Sequence, residues 1–199
     1  MKPRHFIPPL LFSVIILFHG LAYGDEGSSE RASINDRVLT ESAFLTGFGT
    51  SEITEGHYQP ILLIWHLGVD LKKYFPKMKA WRGNLSVHLE PQFNPVINPE
   101  TDFEFGIGLG VQYTSPLTDK LSTYVSASVG PHYISVVTRD QAHGFIFSDT
   151  IGAGLYLFIT KNSALNLGYR LRHISNAGLA KTNLGINSHF GVIGYSVFF

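Results

Sequence analysis

The stretch Phe103-Glu104-Phe105-Gly106-Ile107-Gly108-Leu109-Gly110-Val111-Gln112-Tyr113 alternates without a break. Phe103, Phe105, Ile107, Leu109, Val111 and Tyr113 share one face, and Glu104, three glycines and Gln112 share the other. In extended backbone successive side chains point to opposite sides of the sheet, so period two over this length is a strand. An unbroken apolar face opposite glycines and single polar groups is what a strand needs when lipid lies on one side and a narrow polar lumen on the other.

Outward from this strand, seven more runs of about ten residues carry the same pattern. The first, at about 42–53, has the weakest phase, because Phe44 and Phe48 compete with Leu45. The second sets Ile61, Leu63, Trp65, Leu67, Val69 and Leu71 against His66, Gly68 and Asp70. The third sets Leu85, Val87 and Leu89 against Asn84, Ser86, His88, Glu90 and Gln92. After the fourth, quoted above, the fifth sets Leu121, Val125, Ala127 and Val129 against Ser122, Tyr124, Ser126 and Ser128. The sixth sets Phe145, Phe147, Ile151, Ala153, Leu155 and Leu157 against Ser148, Thr150, Gly152 and Gly154. In the seventh, Leu165, Leu167, Tyr169 and Leu171 oppose Asn166, Gly168, Arg170 and Arg172, and His173 and Ser175 continue the apolar face. The eighth ends Ile193, Tyr195, Val197, Phe199.

The expected fold is therefore all-β: an eight-stranded antiparallel transmembrane β-barrel over residues 41–199. Tight turns are expected at 115–120 and 160–163, and longer loops at 94–102, 137–144 and 176–185. This alternation puts both barrel termini on the short-turn, periplasmic side. A soluble eight-stranded barrel of the lipocalin kind is the competing fold, but its charged face would meet water. Here that face carries glycines and isolated His66, Asp70, His88, Glu90, Glu104, Arg170 and Arg172, with few lysines. Eight strands leave room for side chains and no water channel, which argues against a porin.

The chain opens with Lys2, Arg4 and His5, an apolar run over 6–21, and Ala22-Tyr23-Gly24 before Asp25. A basic start, an apolar middle and small residues before the cut read as a signal peptide, 1–24, removed after Gly24. Pro8 and Pro9 interrupt the run and argue against a retained spanning helix. Residues 25–40 are polar, unpatterned at first, and expected to be a periplasmic lead-in. The chain has no cysteine, so disulfides and thiolate metal sites are excluded. A formal net charge of zero, without basic stretches interleaved with aromatics, gives no case for nucleic-acid binding. Charged residues make up only 15% of the chain beside 20 glycines, 15 phenylalanines and 9 tyrosines, a bias that suits an aromatic-girdled membrane barrel.

His173 and Ser175 lie two residues apart on one strand face, with Cα atoms roughly 6.6 Å apart. A histidine of that reach can approach a serine hydroxyl, as a general base must. Both sit at the top of the seventh run, where a polar group facing lipid costs little compared with the bilayer centre. Interfacial polar residues also arise without catalysis, so the H-x-S pattern alone leaves both readings open.

The longer string His173-Ile174-Ser175-Asn176-Ala177-Gly178-Leu179, followed by Asn183, Gly185, Ile186 and Ser188, resembles the C-terminal hallmark of PagL-type lipid A 3-O-deacylases. The stretch from Phe147 to Leu155 is also similar to that family. The resemblance implies an outer-membrane esterase that removes the ester-linked 3-hydroxyacyl chain at position 3 of lipid A, the anchor of lipopolysaccharide. It implies Ser175 as nucleophile, His173 as base, and Asn176 with the Ala177 and Gly178 N–H groups as oxyanion donors. It implies no cofactor and no metal. The family's third member is a glutamate twelve residues beyond the serine, a position held here by Asn187. An amide can orient a histidine but cannot balance an imidazolium charge.

Asp149 is the second candidate for that role. It is an acid on an otherwise apolar face of the sixth run, which is costly unless it is paired or at the interface. A hairpin turn centred on Lys161 places it directly opposite His173, with Cβ atoms about 5 Å apart; a shift of one pleat places it opposite Ser175. An interfacial aspartate bonded to loop groups is the alternative.

Two other functions stay open. One is a structural or adhesive barrel of the opacity type, which has no need of the His173 to Gly178 string. The other is an acyl hydrolase or acyltransferase acting on phospholipid. Expected partners are lipopolysaccharide, outer-membrane lipid, and the barrel assembly machinery, since Phe199 resembles the terminal aromatic that machinery recognises. Oligomeric state is open, a homodimer included.

Overall fold

The computed structural model describes residues 38–199. The expected signal peptide and most of the expected lead-in lie outside the described residues. Eight strands close into one barrel in chain order: β1 (Glu41–Ile53), β2 (Gly56–Asp70), β3 (Asn84–Asn98), β4 (Asp102–Thr118), β5 (Leu121–Ile134), β6 (Gly144–Thr160), β7 (Ser163–Ser175) and β8 (Ile186–Phe198). Every neighbouring pair is antiparallel, and β8 pairs back on β1 from Glu41↔Phe198 to Thr50↔His189. Closure leaves no sheet edge, as lipid demands of any strand that crosses it. The seam is finished by the Phe199 N–H donating to the Thr40 carbonyl at 3.1 Å.

Alternation works as the sequence implies. Phe105, Leu109, Val125, Val129, Ile151 and Ile193 are exposed on the outer wall, while Glu90, Glu104, Arg170 and Arg172 are buried inside. The first strand's ambiguity resolves with Phe44 and Phe48 outside and Ala43 and Leu45 inside. Gly106 and Gly110 leave the lumen space that the His132 and His88 rings occupy.

The buried charges are matched in two layers. Arg170 grips Glu90 with both guanidinium nitrogens, at 2.7 and 2.8 Å, and His66 Nδ1 lies 2.8 Å from the same carboxylate. Nearer the rim, Glu104 accepts from both Arg172 nitrogens, from the Tyr58 hydroxyl at 2.5 Å and from the Asn94 amide at 2.7 Å. An unpaired ion in such a place costs several kcal/mol, and bidentate pairing with saturated lone pairs offsets it. Apolar clusters seal the two ends. Tyr58, Val96, Ile134, Ile146, Ile174 and Ile186 fill the rim end. Tyr124, Tyr156 and Ala164, with Phe158 and Phe198 against them, fill the end that bears the termini.

The connections differ from expectation in the first half of the chain. The loop expected at 94–102 shrinks to 99–101, because β3 stays in register with β4 as far as Val96↔Asp102. Asn94 is buried there, accepting from the Leu63 N–H and donating to Glu104, so it is a lumen residue rather than a loop residue. The turn expected at 115–120 is confined to Asp119 and Lys120. Most of all, the alternation of short and long fails at the start. The rim connection between β1 and β2 is only Thr54 and Glu55, whereas the opposite end carries the long segment 71–83. In the second half the expected pattern holds.

Candidate active site

The rim loops that border His173 and Ser175 are tied to one another. Asp140 accepts from the Thr54 N–H at 2.8 Å and the Thr54 hydroxyl at 2.7 Å. The Ala142 N–H donates to Thr182, and the Leu184 N–H to the Asp140 carbonyl. The segment 176–185 is thereby braced from both sides, so the end of β7 has a fixed platform.

His173 occupies the centre of a three-strand row. Asp149 of β6 is directly opposite on one side and Asn187 of β8 on the other. Asn187 Oδ1 stands 2.9 Å from His173 Nδ1. An amide oxygen only accepts, so this contact puts the proton on Nδ1 and leaves the lone pair on Nε2. Asp149 is exposed on the same wall, and its carboxylate takes no hydrogen-bond partner among the described residues. Ser175 is half-buried one pleat nearer the rim, opposite Phe147. It is not hydrogen-bonded to His173; catalytic contacts of this kind often tighten only when substrate is bound.

Asp149, His173 and Asn187 line a depression of about 490 Å³, whose apolar walls are Ala127, Val129, Ile151 and Leu171. Above it Phe145 and Phe147 meet edge to face, and Phe103, Phe105 and Tyr133 stack nearby. This aromatic belt marks the outer interface, so polar His173 and Ser175 sit at the depth where the bilayer tolerates them.

The three expected oxyanion donors fare differently. Asn176 is 1% exposed and spends its groups on the loop: its N–H donates to Asn183 at 2.7 Å and its amide nitrogen to the Thr182 carbonyl at 2.9 Å. Its Oδ1 in turn accepts the Gly178 N–H at 2.9 Å. Ala177 and Gly178 have φ of 52° and 81°, so the chain reverses sharply just beyond Ser175. Ala177 is exposed, and its N–H takes no such partner among the described residues.

Gly185 stands within the family string, with no role expected of it from sequence. Its φ is +77°, and a Cβ built there would stand 2.5 Å from His173 Cε1 and 3.1 Å from Nε2. The glycine backbone thus forms the floor under the imidazole. The signal was present in its place just before an apolar run, after a polar loop. A second polar contact was also missed: the Tyr169 hydroxyl lies 2.5 Å from His189 Nδ1 on the same outer wall. Two polar-tipped residues in matching phase on adjacent strands were its signal.

Inside the lumen His66, His88 and Glu90 bring ligand-type atoms within 4.8 Å of one another. Glu90 is already saturated by Arg170 and His66, which ties that cluster to the barrel's own packing.

A closed eight-stranded antiparallel barrel with an apolar outer wall and a polar, packed lumen defines an outer-membrane β-barrel protein. The family model "Lipid A 3-O-deacylase (PagL)" matches residues 64–196. The chain belongs to the PagL family of lipid A 3-O-deacylases and is an enzyme of the bacterial outer membrane. The crystal structure of the outer membrane enzyme PagL superposes with a TM-score of 0.55 at 21% identity, covering 80% of this chain and 99% of that one. The structure of Neisserial surface protein A gives a TM-score of 0.54 at 14% identity, covering 81% of this chain and 96% of the other, a likeness of fold alone. No curated protein sequence matches the chain.

Proposed function

We propose that this lipid A 3-O-deacylase works by serine–histidine catalysis on the outer wall of the barrel. Ser175 Oγ attacks the carbonyl of the ester-linked 3-hydroxyacyl chain while His173 Nε2 takes the hydroxyl proton. The tetrahedral adduct collapses, and the sugar oxygen leaves with that proton. Water then attacks the acyl-serine, again giving its proton to His173, and the hydroxy fatty acid is released with Ser175 restored. The observation that carries the reading is the 2.9 Å contact from Asn187 Oδ1 to His173 Nδ1, which holds the imidazole in the tautomer a base requires. Asn187 orients, and Asp149 opposite contributes the negative charge that an amide lacks. The Ala177 N–H is the donor left for the oxyanion, with Asn176 and Gly178 shaping the turn that presents it. The depression between Val129, Ile151 and Leu171 receives acyl chain from the surrounding leaflet.

The test is mass spectrometry of lipid A from cells making the protein. One hydroxyacyl mass should disappear with the wild type and be retained with Ser175→Ala and with His173→Ala. Members of such a pair act as a unit, so either loss should remove nearly all activity, on the order of a thousandfold. Wild-type turnover by a correctly folded Ser175→Ala barrel would reject the mechanism. An inserted wild type that leaves lipid A unchanged would favour a structural barrel.

A further inference from the structure

The segment 71–83 reads Leu71-Lys72-Lys73-Tyr74-Phe75-Pro76-Lys77-Met78-Lys79-Ala80-Trp81-Arg82-Gly83. It holds five of the chain's 15 lysines and arginines and none of its 15 acids, in a protein of zero net charge. It also lies at the end that carries the termini, where barrels of this kind use tight turns. An ordered, cationic insertion there calls for a physical reason.

The segment is built rather than slack. The Asp70 carboxylate caps the 3₁₀ turn Leu71–Lys73 by accepting the Lys72 N–H at 2.8 Å. A second 3₁₀ turn, Pro76–Ala80, follows, and Lys72 Nζ reaches the Trp81 carbonyl at 2.7 Å, tying the two ends together. Yet this fixed loop leaves Tyr74, Phe75 and Trp81 48%, 54% and 49% exposed. Water alone gives no reason to hold three aromatics outward. They lie on the connection between β2 and β3, and tyrosine and tryptophan are the side chains that settle at the headgroup level. Cations among them face the negative surface of an anionic leaflet.

We propose that 71–83 is a binding site for anionic glycerophospholipid headgroups of the periplasmic leaflet. Tyr74, Phe75 and Trp81 enter the acyl boundary, and Lys77, Lys79 and Arg82 meet the phosphates. The site is independent of the catalytic row, which lies at the opposite end of the barrel.

The chain has two tryptophans, so Trp65→Phe leaves Trp81 as the only reporter. The full barrel carrying Trp65→Phe is reconstituted in nanodiscs of phosphatidylcholine with and without phosphatidylglycerol. Trp81 emission should be blue-shifted and quenched by lipid brominated near the headgroup. Phosphatidylglycerol should raise the thermal midpoint, and Lys77→Gln/Lys79→Gln/Arg82→Gln should abolish that increment while keeping the phosphatidylcholine value. At roughly fivefold per cation, the triple variant should weaken phosphatidylglycerol retention in native mass spectrometry on the order of a hundredfold. Water-like Trp81 emission in every lipid overturns the proposal. So does an unchanged triple variant, a response satisfied by inorganic phosphate, or one given only by lipopolysaccharide.

Discussion

Asn187 stands where the PagL pattern has glutamate, and its neighbours determine what that exchange costs. In the proposed mechanism the amide keeps His173 in the required tautomer but leaves the transition-state imidazolium without a carboxylate hydrogen-bonded to it. Asp149 is the acid directly opposite His173 on β6, and in the proposed mechanism a partly screened charge there is worth about a tenfold rate effect. Asp149→Asn should therefore lower kcat by about tenfold or more, well beyond the loss from Asn187→Ala, and Asn187→Glu should preserve or raise it. Equal activity in Asp149→Asn and wild type, measured on purified lipopolysaccharide, would leave Asn187 as the orienting residue acting alone. Gly185 makes a different demand. A methyl group there meets the imidazole at 2.5 Å and asks an L-residue to hold φ +77°. Gly185→Ala should cut deacylation about tenfold or more through a displaced His173, while the barrel still folds and inserts. Full activity in that variant would remove Gly185 from the site's geometry.

Among elements, β7 does the most, since its two faces serve two purposes. Outward it carries His173 and Ser175; inward it carries Arg170 and Arg172, which lock Glu90 and Glu104. Because Arg172 is the residue before His173, the ion pair that holds the lumen anchors the strand beside the row of Asp149, His173 and Asn187. Glu104→Ala strands Arg172 and removes the acceptor of Tyr58 and Asn94. It should destabilise the barrel by about 3–5 kcal/mol, read by urea titration of protein folded in lipid vesicles. A change under about 1 kcal/mol would mean that solvent or a neighbour already satisfies Arg172. Strand pairing was legible where both faces were distinct. The expected opposition of Asp149 and His173 is the observed register. The tie from Asn187 to His173 was legible only through the family resemblance, because a two-residue period gives the face and not the partner. The ends of β3 were misread, since Asn94 and Pro95 look like a loop until Glu104 is seen to need a donor.

For the whole molecule, the barrel was written into the alternation of six or seven strands, and residues such as Phe105, Gly106 and Ile107 could hardly be read otherwise. The loop plan was not, because the length of a connection such as 71–83 leaves no periodic signature. Nor was the rim bracing by Asp140, a lone acid in a loop whose partners lie far away in sequence. The filled interior has a consequence for the cell. Tyr58, Ile134, Ile146 and Ile174 close one end, Tyr124 and Tyr156 the other, and paired ions lie between, so among the described residues the lumen is filled with side chains. Copies can accumulate in the membrane and remodel its outward chemistry without making it leaky to antibiotics or bile salts. The cell can then tune its surface and keep its permeability barrier intact.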